Sequence, residues 1–157
     1  MTEKIWFTPV AFVKLEEEYE ELTGAGRKYI EERIAEARSH GDLRENADYD
    51  AAKNEQGMME ARIRQLRHLI DNAEVREVAD TGSVEVGSVV VAVDDDGDEI
   101  RFFVASQENR VPGYILASPS SPIGAALLGT SAGDKVTYQA PAGEFTLDIR
   151  SVGPFED

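Results

Sequence analysis

The feature that most constrains the fold is a stripe of mostly apolar residues spaced alternately three and four positions apart in the middle of the chain. This spacing puts them on one face of an α-helix, as in the seam of a coiled coil. The run therefore predicts a long helix that packs along a second helix. Its eight positions, polar only at the third, are Tyr49, Ala52, Gln56, Met59, Ile63, Leu66, Ile70 and Ala73.

A preceding helix supplies the partner. It begins at Thr8-Pro9, with Thr at the N-cap and Pro at the first helical position. Gly24 and Gly26 interrupt its seam, each costing ~1 kcal/mol relative to Ala in a helix interior. The seam resumes one residue out of phase, which predicts a kink or stutter there. Its positions are Leu15, Tyr19 and Leu22 before the glycines, and Ile30, Ile34 and Ala37 after them.

The joint between the two helices is short. Ser39-His40-Gly41 ends the first helix, with Gly as a left-handed cap, and the second begins within a few residues. So short a joint forces the helices antiparallel, with the tip at residues 39–46. Two helices of roughly 30 residues, rising ~1.5 Å per residue, would form a rod on the order of 45 Å long.

The second half of the chain changes to period-two apolar patterns separated by turn residues, which predicts strands. We therefore predict an α+β protein: an N-terminal antiparallel two-helix coiled coil at 1–76, a linker at 77–85, and a small α+β domain at 86–157 whose sheet buries one face under a short helix. The predicted strands span 88–93, 99–105, 114–117, 135–140 and 144–152, and the short helix spans 121–129.

Composition limits the classes of function. The chain has 157 residues and a formal charge of −15, which argues against independent binding to duplex DNA because phosphate neutralisation needs clustered Lys and Arg. Cysteine is absent, so disulfides and thiolate metal sites are excluded. No apolar run is long enough for a membrane span or signal peptide. We expect a cytoplasmic protein without membrane partners.

Two acids at the joint, Asp42 and Glu45, are the strongest candidates for chemistry. The spacing has a structural interpretation, because Asp at the N-cap and Glu three residues later match a capping box. However, Asp48, Asp50 and Glu55 crowd the same turns, and unpaired carboxylates repel one another unless a cation arrives. Two carboxylates alone make a weak Mg²⁺ site, so the tip would complete a metal site rather than form one.

Three cations surround the joint: Arg38 before it, Arg44 within it and Lys53 after it. They could pair with acids on the facing helix or bind phosphate, and the sequence leaves both interpretations open. A separate acidic run, Asp94–Asp98, resembles a calcium loop only superficially, because no matching acid closes the EF-hand spacing. A hairpin turn is the favoured interpretation of that run.

The tip and the second half together resemble the GreA/GreB family of bacterial transcript cleavage factors. The resemblance is carried by Gly41-Asp42-Leu43-Arg44-Glu45-Asn46-Ala47-Asp48-Tyr49 at the tip and by Ser118–Gly129 and Gly133–Val136 in the second half. It implies a C-terminal domain with an FKBP-like fold that docks beside the secondary channel of bacterial RNA polymerase. The coiled coil would pass down that channel to the active centre. The family resemblance also implies a monomer that acts as an accessory factor, not as an independent enzyme.

By the same resemblance, Asp42 and Glu45 would help to hold a second Mg²⁺, shared with the polymerase, and would position the water that attacks backtracked RNA. Arg38 and Lys53 match positions of a basic patch near the RNA 3′ end, and Arg44 falls where the family carries Lys or Arg. Asn46 and Tyr49 would support the tip. Two departures from the family pattern are Asp50, in place of the usual His, and Gly24-Ala25-Gly26, in place of an Arg-Pro-containing stretch.

The main hypothesis is therefore a transcription elongation factor that stimulates the hydrolysis of backtracked nascent RNA by the polymerase. The alternative is a secondary-channel binder of the same architecture that inhibits the polymerase without cleavage. An independent metal nuclease would need more ligands than the tip offers. A helical-hairpin chaperone would need exposed apolar surface, and the tip is polar.

Overall fold

The computed structural model describes residues 4–40 and 43–156, apart from the side chains of residues 40 and 43–46. The chain forms two compact units. One unit is Phe12–Asn72, and the other combines the N-terminal segment through Ala11 with the chain from Ala73 onward. This division differs from the predicted limits of 1–76 and 86–157, because a strand at each end of the helical segment joins the second unit. The α+β class is confirmed.

The helical unit is an antiparallel hairpin. Helix α1 (Pro9–Glu21) continues through a π-helical turn (Leu22–Gly26) into α2 (Arg27–His40), and α3 (Leu43–Asp71) returns along it. The ion pairs between the helices show that they are antiparallel, because the residue numbers rise along α1 and α2 while those of their partners in α3 fall. These pairs are Glu18–Arg62, Arg27–Glu60 and Arg33–Glu55.

The predicted seam lies at the helix interface. Leu15, Ile30, Ala37, Ala52, Ile63 and Leu66 are all buried. The predicted stutter is the π-helical turn at Leu22–Gly26, where the Thr23 hydroxyl donates a hydrogen bond to the Tyr19 carbonyl at 2.7 Å. One seam prediction is wrong: α3 ends at Asp71, and Ala73 lies in strand β2 (Ala73–Val75).

The sheet unit contains a small parallel pair that the sequence did not predict. Strand β1 (Ile5–Phe7) pairs in parallel with β2, with Ile5 opposite Ala73. Asn109 anchors the segment after β1: its Oδ1 accepts a hydrogen bond from the Thr8 N–H at 2.9 Å, and its Nδ2 donates to the Trp6 carbonyl at 3.0 Å. The N-cap predicted for α1 is present, since the Ala11 N–H donates to Thr8 Oγ1 at 3.0 Å.

The main sheet has five strands in the order β5-β4-β3-β7-β6. β5 runs parallel to β4, and the other neighbouring pairs are antiparallel. All five strands and the short helix α4 lie within two residues of their predicted bounds. Those bounds are β3 Ser88–Val93, β4 Glu99–Val104, β5 Ile115–Ala117, α4 Pro122–Leu127, β6 Lys135–Ala140 and β7 Gly143–Pro154.

Both faces of this sheet are packed, not one as predicted. One face packs against α4 through a core that includes Val90, Val104 and Leu127. On the other face, an aromatic cluster forms around Phe103, which stacks on Phe155 at 4.5 Å and meets Trp6 edge-on at 6.1 Å. Gly87 allows this packing: its φ is +99°, and a Cβ there would collide with Trp6 and Val78. The segment predicted as a linker therefore contributes Val78 to a core.

Candidate functional site

The tip of the hairpin is where the sequence places the candidate acids. Helix α2 ends at His40 and α3 begins at Leu43. Asp42 lies outside the described residues. Arg44, Glu45 and Asn46 belong to the start of α3, and their side chains are likewise outside the description. The roles assigned to these four residues therefore stay predictions. Carboxylates near a helix N-terminus are kept ionised by its positive end, which suits metal ligation and capping alike.

Near the tip, two described side chains form an arginine–tyrosine contact across the hairpin. Arg38, near the end of α2, places its guanidinium carbon 5.5 Å from the centre of the Tyr49 ring. Its Nη2 also donates a hydrogen bond to the Tyr49 hydroxyl at 3.3 Å. This geometry combines a cation–π attraction with a hydrogen bond. The seam spacing predicts a packing role for Tyr49, and the resemblance implies that it supports the tip; in the structure its half-buried ring also holds a cation.

The contact perturbs the tyrosine. The Arg38 hydrogen bond, reinforced by the charge of its guanidinium, lowers the pKa of the Tyr49 phenol below its ordinary value, and the charge of Lys53 acts in the same direction. Both cations favour the phenolate over the neutral phenol.

Lys53 lies one helical turn beyond Tyr49 on α3, on the same side of the helix. Its ammonium donates a hydrogen bond to Gln56 Oε1 at 3.0 Å. This hydrogen bond gives a reason for the polar residue Gln56 at the one polar position of the predicted seam. Together, Arg38 and Lys53 line a shallow groove of about 360 Å³ between the two helices, whose other lining residues are Glu31, Ile34, Ala35 and Gln56. The structure therefore brings two of the three predicted cations together.

These two cations differ from the arginines further along the hairpin. Arg27 meets Glu60 in a two-point contact, at 2.9 and 3.1 Å, and lowers the pKa of that carboxyl. Arg62 contacts Glu18 at 2.9 Å, and Arg33 pairs with Glu55. Among the described side chains, neither Arg38 nor Lys53 forms an ion pair with a carboxylate. Ion pairing, one of the two interpretations that the sequence leaves open for the cations near the joint, is found among the described residues in the middle of the hairpin and not at Arg38 or Lys53.

The acidic run in the sheet unit is a turn, as predicted. Asp94 Oδ1 accepts hydrogen bonds from the backbone N–H groups of Asp96 and Asp98, at 3.0 and 2.9 Å, and closes the β3–β4 hairpin. Carboxylate oxygens of Asp94, Asp96 and Asp98 lie within 4.8 Å of one another, an arrangement that this turn geometry accounts for. In the part of the chain that the structure describes, no helix is long and apolar enough to cross a membrane.

Comparison with known proteins identifies relatives over nearly the whole chain. The family model described as "Transcription elongation factor, N-terminal" matches residues 5–75, and "Transcription elongation factor, GreA/GreB, C-term" matches residues 79–154. A Streptomyces coelicolor protein named transcription elongation factor GreA is 44% identical over 88% of this chain and 86% of its own length. A Chloroflexus aurantiacus protein of the same name is 43% identical over 97% and 99%. Among solved structures, GreA factor homolog 1 (Gfh1) of Thermus thermophilus is 25% identical with a TM-score of 0.46, over 96% of this chain and 99% of its own.

Proposed function

Because the chain belongs to the GreA/GreB family of transcription elongation factors, we propose that it enters the secondary channel of RNA polymerase and stimulates hydrolysis of backtracked nascent RNA. The chain is a transcription elongation factor, and its partner is RNA polymerase. The finer proposal is that the hairpin carries Asp42 and Glu45 to the polymerase active centre, so that arrested complexes resume elongation. The polymerase performs the hydrolysis, and this chain is its accessory factor.

The observation that carries the proposal is the groove near the tip. In a chain with a formal charge of −15, Arg38 and Lys53 line the same groove, and neither forms an ion pair with a carboxylate among the described side chains. Cations kept available in this way suit the phosphates of an RNA strand. They also lie within a few turns of the joint that carries the two acids. An acidic pair for the reacting phosphodiester and a basic groove for the adjoining RNA would thus share one end of the hairpin.

The donor set at the joint fits Mg²⁺, since carboxylate oxygens are the ligands this ion prefers. Asp42 and Glu45 would provide some of the ligands of the ion, and the polymerase and the RNA would provide the others. The ion, when bound, would lower the pKa of a coordinated water and offset the charge that develops on the phosphate. The two side chains must be ionised for this role, and Glu45, as the third residue of α3, benefits from the positive helix N-terminus.

The experiment is cleavage of 3′-labelled RNA in a stalled, backtracked polymerase complex with Mg²⁺. We expect fast release of short 3′ fragments with the wild-type protein and loss of that stimulation with the Asp42→Asn/Glu45→Gln variant. A matched control, Glu16→Gln/Glu17→Gln, removes the same charge from exposed residues of α1 and should cleave like the wild type.

Two outcomes would contradict the proposal. Unchanged cleavage by the tip variant would mean that the acids only cap α3, in which case the substitutions would mainly lower stability, by ~1–2 kcal/mol. Slower elongation without cleavage by the wild type would indicate a channel-binding inhibitor.

A further inference from the structure

The described partner of Arg38 is a phenol, which carries no charge. Arg67 also donates a hydrogen bond to a phenol, that of Tyr19, but it pairs with the Asp71 carboxylate as well. Arg27, Arg33 and Arg62 each face a carboxylate, which offsets their positive charge. Arg38 instead lies over the Tyr49 ring and donates one hydrogen bond to its hydroxyl. The ring attracts the guanidinium through its quadrupole, not through a net charge. The Arg38 guanidinium is therefore held in place while its full positive charge remains available to an anion.

The remaining guanidinium donors suit a phosphate. A guanidinium presents its N–H groups in a rigid planar fork, and the Tyr49 hydroxyl occupies only part of it. Arg38 is exposed and shares its groove with the Lys53 ammonium. An arginine side chain that moves freely loses rotamer entropy when it binds an anion. The Arg38 side chain is already stacked on a ring, so it has lost part of that entropy before the anion binds.

We propose that Tyr49 is a positioning residue for RNA: its ring and hydroxyl hold the Arg38 guanidinium in the groove beside Lys53 without neutralising it, so that a phosphate of the backtracked RNA 3′ segment binds there. This inference rests on the proposed function. It adds that the tip-proximal tyrosine acts through the arginine and does not itself contact the reacting phosphodiester.

The test compares Tyr49→Leu, which removes ring and hydroxyl, with Tyr49→Phe, which keeps the ring. In the backtracked complex, the cleavage rate is measured against factor concentration, so that the maximum rate and the half-saturating concentration are separated. We expect Tyr49→Leu to lower the maximum rate about tenfold and Tyr49→Phe about threefold. The half-saturating concentration should not change, because docking to the polymerase does not involve this contact.

Two controls separate positioning from structure. Tyr29→Leu removes a tyrosine of the same hairpin that is 59% exposed, and should cleave like the wild type. Thermal unfolding of each variant shows whether the seam survives. Should Tyr49→Leu unfold, Tyr49→Phe retains the ring and its packing and still carries the test.

The decisive comparison repeats Tyr49→Leu in an Arg38→Gln background. We expect no further loss there, since the tyrosine acts through the arginine. An equal loss in both backgrounds would overturn the inference, as would wild-type cleavage by folded Tyr49→Leu; both results would leave the proposed function intact. Failure of the wild-type protein to stimulate cleavage would overturn the proposed function and this inference with it.

Discussion

At the scale of single residues, the hairpin uses its arginines in two ways. Those in the middle pair with carboxylates on the facing helix, which fixes the register of two antiparallel helices. Arg38, the last arginine of α2, is held by a phenol. Spacing alone placed Tyr49 in the seam, but it could not reveal the Arg38 contact. That contact depends on which residues of the other helix lie opposite, and a heptad pattern does not specify this.

The first prediction concerns the Tyr49 phenol in the free protein. Arg38 favours the phenolate by a hydrogen bond and by its charge, so Arg38→Gln should raise the pKa of Tyr49 toward its ordinary value. Titration of the tyrosine ring carbons by NMR, with Tyr49→Phe to assign the signal, measures the change. Arg64→Gln, an exposed arginine of α3, is the matched control. An unchanged pKa in Arg38→Gln would show that the two side chains do not interact in solution.

The second prediction concerns the buried seam. Leu66 is fully buried, so Leu66→Ala leaves a cavity in the helix interface and should lower the free energy of unfolding by ~2–4 kcal/mol. Met58, which is 68% exposed on the same helix, provides the control: Met58→Ala should change stability by less than ~0.5 kcal/mol. Urea denaturation followed by circular dichroism measures both. Equal effects of the two substitutions would contradict the predicted interface.

At the scale of elements, the π-helical turn absorbs the stutter that the sequence predicts. The seam slips by one residue between Leu22 and Ile30, and the wider turn at Leu22–Gly26 accommodates the slip without ending the helix. The sequence could indicate the interruption because two glycines mark it. It could not distinguish a kink from a π-helical turn, since that choice depends on how the facing helix packs there.

The third prediction uses the two glycines as a matched pair. A Cβ at Gly24 would meet nothing within 4 Å, so Gly24→Ala should stabilise the hairpin by ~0.5–1 kcal/mol through a less flexible unfolded chain. At Gly26, a Cβ would lie 3.2 Å from Met59 Sδ, so Gly26→Ala should stabilise the hairpin less than Gly24→Ala or should destabilise it. Urea denaturation measures the free energy of unfolding of the two variants and shows which is more stable. A larger gain from Gly26→Ala would contradict the packing of the turn.

The fourth prediction concerns the anchor between β1 and the 3₁₀ turn at Gln107–Asn109. Asn109 is 1% exposed and bonds both the Thr8 N–H and the Trp6 carbonyl. Asn109→Ala would leave these groups unsatisfied and should lower stability by ~2–4 kcal/mol. Asn54→Ala on the exposed surface of α3 is the control. The melting temperature of the full chain measures the effect. If Asn109→Ala left that temperature unchanged, the anchor would contribute little to stability.

At the scale of the whole molecule, the hairpin and the five-stranded sheet could both be predicted because their patterns are local: a three-four stripe and period-two runs with turns. The β1–β2 pair could not. Its two strands have only three residues each, which is too short to give a periodic signal. In the sequence they are also separated by the entire hairpin, so no local pattern indicates that they pair. The same pairing moves Ala73 out of the seam, where spacing alone had placed it.

We propose that the hairpin tip reaches the polymerase active centre, and a cleavage reagent placed at that centre tests this directly. Replacing the active-centre Mg²⁺ of a backtracked complex with Fe²⁺ produces hydroxyl radicals that cut any polypeptide nearby, and end-labelled protein reports where. We expect cuts confined to the neighbourhood of residues 39–46, and no cuts when Mg²⁺ is retained. Cuts in the β3–β7 sheet, or an uncut hairpin in a complex that still binds the protein, would contradict it.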